Sequence, residues 1–89
     1  EKQRNVATIL YKSLQLAKEL IEDGKKEVEY IKKEMIDLIK QEESFEIDYV
    51  KVVKKNNLED IAVVKGSILI AVAVKIGKIR LIDNLMMEV

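Results

Sequence analysis

The side chains that could perform chemistry in this sequence are few, and the strongest candidates lie near its end. The stretch GKIRLIDN covers residues 77–84, and its Gly77-Lys78 pair has the form of a two-residue type II′ hairpin turn. Strands joined by this turn would place Lys75 opposite Arg80. Two adjacent cations could hold an anion such as a phosphate between them. The alternative is that both side chains are solvated near the hairpin tip, as charged residues usually are.

The same strand pairing raises a question about two polar residues further along. Asp83 falls opposite Val72, on the face that also carries Val74 and Leu81. If that face is the core, the carboxylate needs partners, because burial of an unpaired charge is costly. We expect Asp83 to be a structural residue that accepts hydrogen bonds from backbone donors or pairs with a lysine. Asn84 is likewise expected to be a structural hydrogen-bonding residue.

No group of residues has the spacing of a metal or nucleotide site. The acidic residues Glu42, Glu43, Glu46 and Asp48 lack EF-hand spacing and a glycine-defined loop, so a solvated link is favoured over a metal site. The absence of histidine and cysteine removes the commonest general base and all thiolate ligands. We therefore predict no catalytic residue, no metal site and no cofactor within this chain.

The composition restricts the partners. With 16 basic and 16 acidic residues, the chain has no net charge to attract nucleic acid or an anionic membrane. One phenylalanine and three tyrosines do not make a base-stacking platform. The longest apolar stretch, residues 68–74, is much shorter than the ~20 residues of a membrane helix. We predict no nucleic-acid partner and no membrane contact. A chain without cysteine is compatible with a reducing cytosol, and we expect a cytoplasmic location.

The periodicity of the first part of the chain predicts a helical hairpin over residues 1–43. One apolar stripe at spacings of three and four contains Val6, Ile9, Leu10, Leu14, Ala17, Leu20 and Ile21. A second contains Val28, Ile31, Met35, Leu38 and Ile39. Gly24 follows the first stripe, where a left-handed residue would end the helix.

Three strands are predicted after the helices, at residues 45–54, 67–76 and 79–87. Gly66, predicted to be structural, precedes the second strand. That strand has one face of bulky branched residues and a second face with Ala71 and Ala73. We expect the bulky face to take the helices and the alanine face to allow another group to approach closely. The predicted fold class is α+β, with an N-terminal helical hairpin packed on a small three-stranded, mainly antiparallel sheet.

Two segments resemble a known family. FEIDYVKVV (residues 45–53) and VKGSILIAVAVKIGKIRLIDN (residues 64–84) are similar to the C-terminal domain of pantothenate synthetases, the pantoate–β-alanine ligases. That family carries an I-D-Y-x-x-(I/V)-V strand, a Gly-led A-V-(K/R)-x-G strand and a terminal T-R-L-I-D-N. The resemblance covers essentially the whole chain and is most specific at Asp48-Tyr49 and residues 77–84. It departs at Lys54-Lys55-Asn56, where Asp-Pro is common, and at Ile79, where threonine is usual.

The resemblance implies an activity that this chain does not carry alone. The intact enzyme would use ATP and Mg²⁺ to convert pantoate to an acyl adenylate, which β-alanine attacks to give pantothenate and AMP. The nucleotide-binding N-terminal domain would supply the His-x-Gly-His and Ser-Ser-Arg-Asn segments, which have no match here. Gln3-Arg4-Asn5 lacks both serines and leads into a helix, so we interpret it as helix surface.

The chain is therefore expected to be a lid domain over that active site, inactive in isolation. Its expected partner is the missing N-terminal domain of the same polypeptide, and the intact enzyme is expected to be a homodimer with pantoate and β-alanine as substrates. The alternative is a free-standing α+β interaction or regulatory module that uses the alanine face or a sheet edge.

Overall fold

The computed structural model describes residues 2–41 and 46–89. The first of these segments contains two helices, α1 (Lys2–Glu22) and α2 (Val28–Ile39). The second contains three strands, β1 (Glu46–Lys54), β2 (Ser67–Ile76) and β3 (Ile79–Glu88). The strands form one antiparallel sheet in the order β1-β2-β3, and the helices pack together on one of its faces. The predicted α+β fold is confirmed.

The helical hairpin closes through a glycine with left-handed backbone geometry. Gly24 has a φ of +94°, and its N–H donates to the carbonyl of Ile21 at 3.0 Å. The next N–H, from Lys25, donates to the carbonyl of Leu20 at 2.9 Å. These two bonds form a Schellman motif, which satisfies carbonyls that the end of α1 would otherwise leave unpaired. The segment Gln3-Arg4-Asn5 lies within α1, as the sequence predicts.

The β2–β3 hairpin has the register that the sequence predicts. Gly77 has a φ of +57°, and of the two turn residues only this one has a positive φ, as a type II′ turn requires. Opposed residues run from Ile76–Ile79 through Lys75–Arg80 to Ala71–Asn84. The pairing continues beyond residue 87, because Glu88 still pairs with Ser67. At the other edge, β1 begins at Glu46; residue 45, also predicted to be in this strand, lies outside the described residues.

The core lies between the helices and the bulky face of β2. Ile68, Ile70, Val72 and Val74 are fully buried there. The helices contribute Leu10, Leu14, Ala17, Ile21, Val28, Ile31, Met35 and Ile39. Each buried valine, leucine, isoleucine or methionine side chain contributes about 1.5–3 kcal/mol relative to leaving it exposed. The expectation that the bulky face takes the helices is confirmed.

The connection from β1 to β2 is tied to the helical hairpin. The N–H of Val28 donates to Ala62, and the N–H of Val64 donates to Lys26, both at 2.9 Å. Val64 is itself buried. These contacts make the helical link and the β1–β2 connection one layer, so the helices cannot separate from the sheet without breaking backbone hydrogen bonds.

Candidate functional site

The face of the sheet opposite the helices carries the charged residues that the sequence singles out. Alternate residues of a strand point to opposite faces, so the residues between the core positions lie on this second face. We call it the outer face. It consists of Glu46, Asp48, Tyr49, Lys51 and Val53 of β1, Ser67, Leu69, Ala71, Ala73 and Lys75 of β2, and Arg80, Ile82, Asn84, Met86 and Glu88 of β3.

A β-bulge places Asp48 on this face. Ile47 pairs with Val74 and Tyr49 pairs with Ala73, so Asp48 is an extra residue in β1. A bulge bends the strand and redirects the side chains around it. Ile47 can therefore pack towards the helices while Asp48 lies beside Tyr49 on the outer face.

Arg80 joins the two edge strands across the middle one. Its Nε lies 2.7 Å from the Oδ2 of Asp48, and its guanidinium carbon lies 5.6 Å from the centroid of the Tyr49 ring. The Nζ of Lys51 lies 5.4 Å from the same ring, within the range of a cation–π contact. We call Asp48, Tyr49, Lys51 and Arg80 the Arg80 cluster.

The Arg80 cluster depends on small side chains beneath it. Strands β1 and β3 are about 10 Å apart, because each neighbouring pair in a sheet is separated by about 4.8 Å. The contacts of Arg80 with Asp48 and Tyr49 must therefore pass over β2. Ala73 lies in this part of β2 and is fully buried, although the helices lie on the opposite face. Side chains of the outer face therefore cover Ala73.

The structure places Lys75 and Arg80 opposite each other, as expected. It also shows an acidic residue next to each of them. Arg80 has Asp48 as its partner, and Lys75 lies opposite Glu46. The side chains of Arg80 and Asp48 are 49% and 27% exposed, so the ion pair contributes at most about 1 kcal/mol to stability. The ion pair also fixes the position of the Arg80 guanidinium, which it holds against the sheet.

Sequence reasoning missed the Arg80 cluster. It grouped Asp48 with Glu42, Glu43 and Glu46 as a solvated link, and Glu42 and Glu43 lie outside the described residues. The contact between Arg80 and Asp48 depends on the bulge and on the β1–β2 register. No short turn joins β1 to β2, so no turn motif in the sequence specifies that register. The signal in the sequence was the resemblance, which is most specific at Asp48-Tyr49 and in the segment that contains Arg80.

Asp83 and Asn84 are not at the core. Asp83 is half-buried on the helix-side face, and its Oδ1 accepts a hydrogen bond from the backbone N–H of Asn84 at 2.8 Å. Asn84 is exposed on the outer face. Asp83 is only half-buried because β3 is an edge strand, whose outer edge has no neighbouring strand among the described residues. Gly66 lies at the end of the sheet, where its N–H and carbonyl both bond to Val89.

One open groove, of about 560 Å³, lies between α2 and the edge strand β1. Glu29, Lys32 and Asp60 line it together with apolar side chains. Within residues 2–41 and 46–89, no three acidic side chains are grouped so that they could hold a metal ion. Among the described helices, none is long and apolar enough to cross a membrane.

The helices and strands together define a small α+β domain with two different faces. A helical hairpin covers one face of a three-stranded antiparallel sheet, and the Arg80 cluster lies on the other. Within the part of the chain that the structure describes, there is no parallel sheet of the kind that binds nucleotides in doubly wound folds. The chain belongs to the pantoate–β-alanine ligase family, whose sequence profile matches residues 1–86.

Individual relatives agree with this assignment. The chain is 48% identical to the pantothenate synthetase of Caldicellulosiruptor bescii over 88 residues, which are 99% of this chain and 31% of that protein. It is 55% identical to that of Clostridium acetobutylicum over 82 residues, which are 92% of this chain and 29% of that protein. The fold superimposes on the crystal structure of pantothenate synthetase from Thermus thermophilus with a TM-score of 0.85 at 25% identity, covering 96% of this chain and 30% of that one.

The chain therefore spans about 30% of the length of the relatives that it matches. This coverage fits a C-terminal fragment of a longer family member, as the resemblance predicts. The family and fold predictions are both confirmed.

Proposed function

We propose that this chain is the C-terminal lid domain of a pantothenate synthetase. The intact enzyme would condense pantoate with β-alanine, using ATP and Mg²⁺ and releasing AMP through a pantoyl-adenylate intermediate. The observation that carries the proposal is the match over residues 1–86 together with coverage of only about 30% of each relative. A cytoplasmic location and a homodimeric intact enzyme accompany this proposal as predictions.

The chemistry of the chain supports a role as a cover. The whole sequence has no histidine and no cysteine, and hence lacks the commonest general base and any thiol nucleophile. An acyl adenylate is exposed to hydrolysis unless water is excluded, and lids on hinges serve that purpose. The proposed contribution of this domain is to exclude water while the remaining polypeptide binds ATP and joins the substrates.

A lid must move as one body, and the packing supports this. Ile31, Met35, Ile70 and Val72, which come from a helix and a strand, are all fully buried in one core. Close-packed interiors resist deformation. The backbone bonds between the helical link and the β1–β2 connection join the two layers further. Any hinge is therefore expected outside this packed unit.

A domain exchange tests the proposal. The C-terminal segment of the Clostridium acetobutylicum enzyme, which is 55% identical to this chain over 82 residues, is replaced by this chain. Pantothenate and AMP are measured after incubation with pantoate, β-alanine and ATP. We expect the chimera to form both in equal amounts, the truncated enzyme to form AMP in excess of pantothenate, and the 89-residue chain to form neither.

Two outcomes would contradict the proposal. Pantothenate formation by the purified 89-residue chain would show that it is not merely a cover. A folded chimera that behaves like the truncated enzyme would show that the chain does not act as the lid of such a ligase.

The pair Lys75–Arg80 is retained in this proposal as an anion contact of the closed enzyme. Arg80→Ala should lower the free energy of unfolding by no more than about 1 kcal/mol, because the ion pair is partly exposed. Lys75→Ala serves as the second variant, because Lys75 is exposed. If the pair contacts a substrate anion, each change raises the KM for ATP or pantoate in the chimera. Unchanged kinetics in both would leave Arg80 with its structural role alone.

One observation favours a second candidate, a free-standing interaction module: Ile82 and Met86 are more than half exposed on the outer face. The coding sequence upstream of Glu1 distinguishes the two. A nucleotide-binding domain with His-x-Gly-His and Ser-Ser-Arg-Asn segments in the same reading frame supports the lid. A reading frame that begins near Glu1 without such a domain supports the module.

A further inference from the structure

We infer that β3 pairs with the β3 of a second copy of this chain, along the side of the strand that faces away from β2. We call that side the β3 edge. The two strands would run antiparallel with Asn84 of one copy opposite Asn84 of the other, so that two three-stranded sheets become one continuous sheet. The inference goes beyond the proposed function, because it concerns association between copies and not catalysis.

The β3 edge carries backbone groups that do not bond to β2. Gly66 and Val89 exchange both of their backbone hydrogen bonds, at 3.2 and 2.8 Å. Bonded and non-bonded pairs alternate along an antiparallel ladder. The odd-numbered residues of β3 therefore bond to β2, and the even-numbered residues from Arg80 to Glu88 direct their N–H and carbonyl groups to the β3 edge. Such a row of groups is a template for pairing with another strand.

The two edges of the sheet differ in their protection. β1 contains the bulge at Asp48 and the side chains of Lys51 and Lys54, and the N–H of Lys54 bonds to Glu59 in the connection that follows. Bulges, lysines and covering loops are features that prevent edge-to-edge pairing. β3 pairs with β2 over ten residues without a bulge, and it contains neither lysine nor proline. Because each copy has one unprotected edge, the pairing closes at two copies.

The apolar side chains along β3 match those of a second β3 in the reverse direction. Pairing about Asn84 places Ile82 opposite Met86 and Ile79 opposite Val89. These four side chains are 53%, 57%, 43% and 39% exposed, and within residues 79–89 they are the large exposed apolar ones. Side chains directly opposite each other on neighbouring strands are in contact. The pairing would thus cover the apolar side chains that a single chain leaves open to water.

The charges favour the same register. Pairing about Asn84 places Arg80 of each copy opposite Glu88 of the other, and opposite charges across a ladder attract. Asp48 contacts the Nε of Arg80, and the guanidinium has two further nitrogens that can donate to a carboxylate. A register with Asp83 at the midpoint would instead set two carboxylates directly opposite each other, which is unfavourable.

Asp83 weakens the pairing by occupying one of the edge groups. Its Oδ1 accepts a hydrogen bond from the N–H of Asn84 at 2.8 Å, and this N–H is directed to the β3 edge. The second copy must replace that bond with one to the Asn84 carbonyl. Asp83→Ala should therefore lower the dissociation constant of the pair about tenfold, which corresponds to one hydrogen bond.

Disulfide cross-linking tests the register, because the chain contains no cysteine. The Cα atoms of a hydrogen-bonded antiparallel pair are about 5.5 Å apart, a distance that a disulfide can span. Asn84→Cys should therefore cross-link to itself. Ile82→Cys alone should not, because the two cysteines would lie about 13 Å apart along the strands. A mixture of Ile82→Cys and Met86→Cys should cross-link, and Tyr11→Cys, at a position 59% exposed on α1, is the matched control.

The variants are oxidised at about 100 μM, after circular dichroism has shown that each is folded. We expect Asn84→Cys and the mixture to form the cross-linked pair about tenfold faster than Ile82→Cys alone or Tyr11→Cys, because pairing raises the effective thiol concentration to about 1 mM. Equal rates in all samples would overturn the inference. Faster cross-linking of Ile82→Cys with itself would also overturn it, because that requires another register.

Sedimentation velocity of the unmodified chain and of Asp83→Ala provides the second measurement. We expect both to shift from one copy towards two as the concentration rises, with Asp83→Ala shifting at lower concentration. A single copy throughout for both proteins, or equal association of the two, would contradict the inference. Species that grow beyond two copies would contradict it as well, because they require a second pairing edge.

Discussion

Replacing Ala73 by leucine tests whether the Arg80 cluster really lies over β2. Ala73 is fully buried on the outer face. We attribute this burial to Tyr49 and Arg80, whose ring and guanidinium lie 5.6 Å apart on the same face. An isobutyl group in place of the methyl group has no free space there, so it must displace Arg80 from Asp48 or move the strands.

The expected cost follows from the packing. Adding carbon atoms to a closely packed site typically costs about 1–3 kcal/mol. In a domain of this size, a loss of about 2 kcal/mol lowers the Tm by about 8–16 °C. Ala71→Leu is the matched control on the same strand and face. Ala71 is half-buried between Lys51 and Asn84, both exposed, so an added side chain there should change stability by no more than about 0.5 kcal/mol.

The assay is urea and thermal unfolding of the 89-residue chain, followed by far-ultraviolet circular dichroism. Arg80→Ala is combined with Ala73→Leu, because removal of the guanidinium should relieve part of the cost. If both leucine variants lose the same stability, or if Arg80→Ala leaves the cost of Ala73→Leu unchanged, the reasoning about the Arg80 cluster is refuted.

Three further predictions concern the core, the hairpin and the surface of α2. Ile70→Ala should lower the free energy of unfolding by about 2–5 kcal/mol and Ile70→Val by about 0.5–1.5 kcal/mol in urea titrations, because the side chain is fully buried. Gly77→Ala should cost about 1–2 kcal/mol in the same assay, from backbone strain at a φ of +57° alone, since an added Cβ would have no atom within 4 Å. The hydrogen bond to Asp37 raises the pKa of Lys33 above its ordinary value of 10.5. The stabilisation from this hydrogen bond is therefore complete below pH 10.5 and is lost as the pH rises through the raised pKa of Lys33. Asp37→Asn should return the pKa of Lys33, measured by NMR titration, towards its ordinary value.

The sequence by itself determined the elements whose contacts are local. The stripes at spacings of three and four predict both helices, because neighbours on a helix surface are close in sequence. Gly77-Lys78 predicts the β2–β3 pairing, because a two-residue turn leaves only one register open to the strands that it joins. The two-faced pattern of β2 then predicts which side takes the helices. The family resemblance rests on these same strands.

Only the tertiary structure decided what the outer face contains. The β1–β2 register depends on how the strands and helices fill a common core, and a one-residue shift moves every later side chain to the other face. The bulge at Asp48 is such a shift, and it brings a carboxylate from one edge strand to a guanidinium from the other. The half-buried position of Asp83 likewise follows from β3 being an edge strand. These contacts join residues far apart in the chain, so no local pattern specifies them.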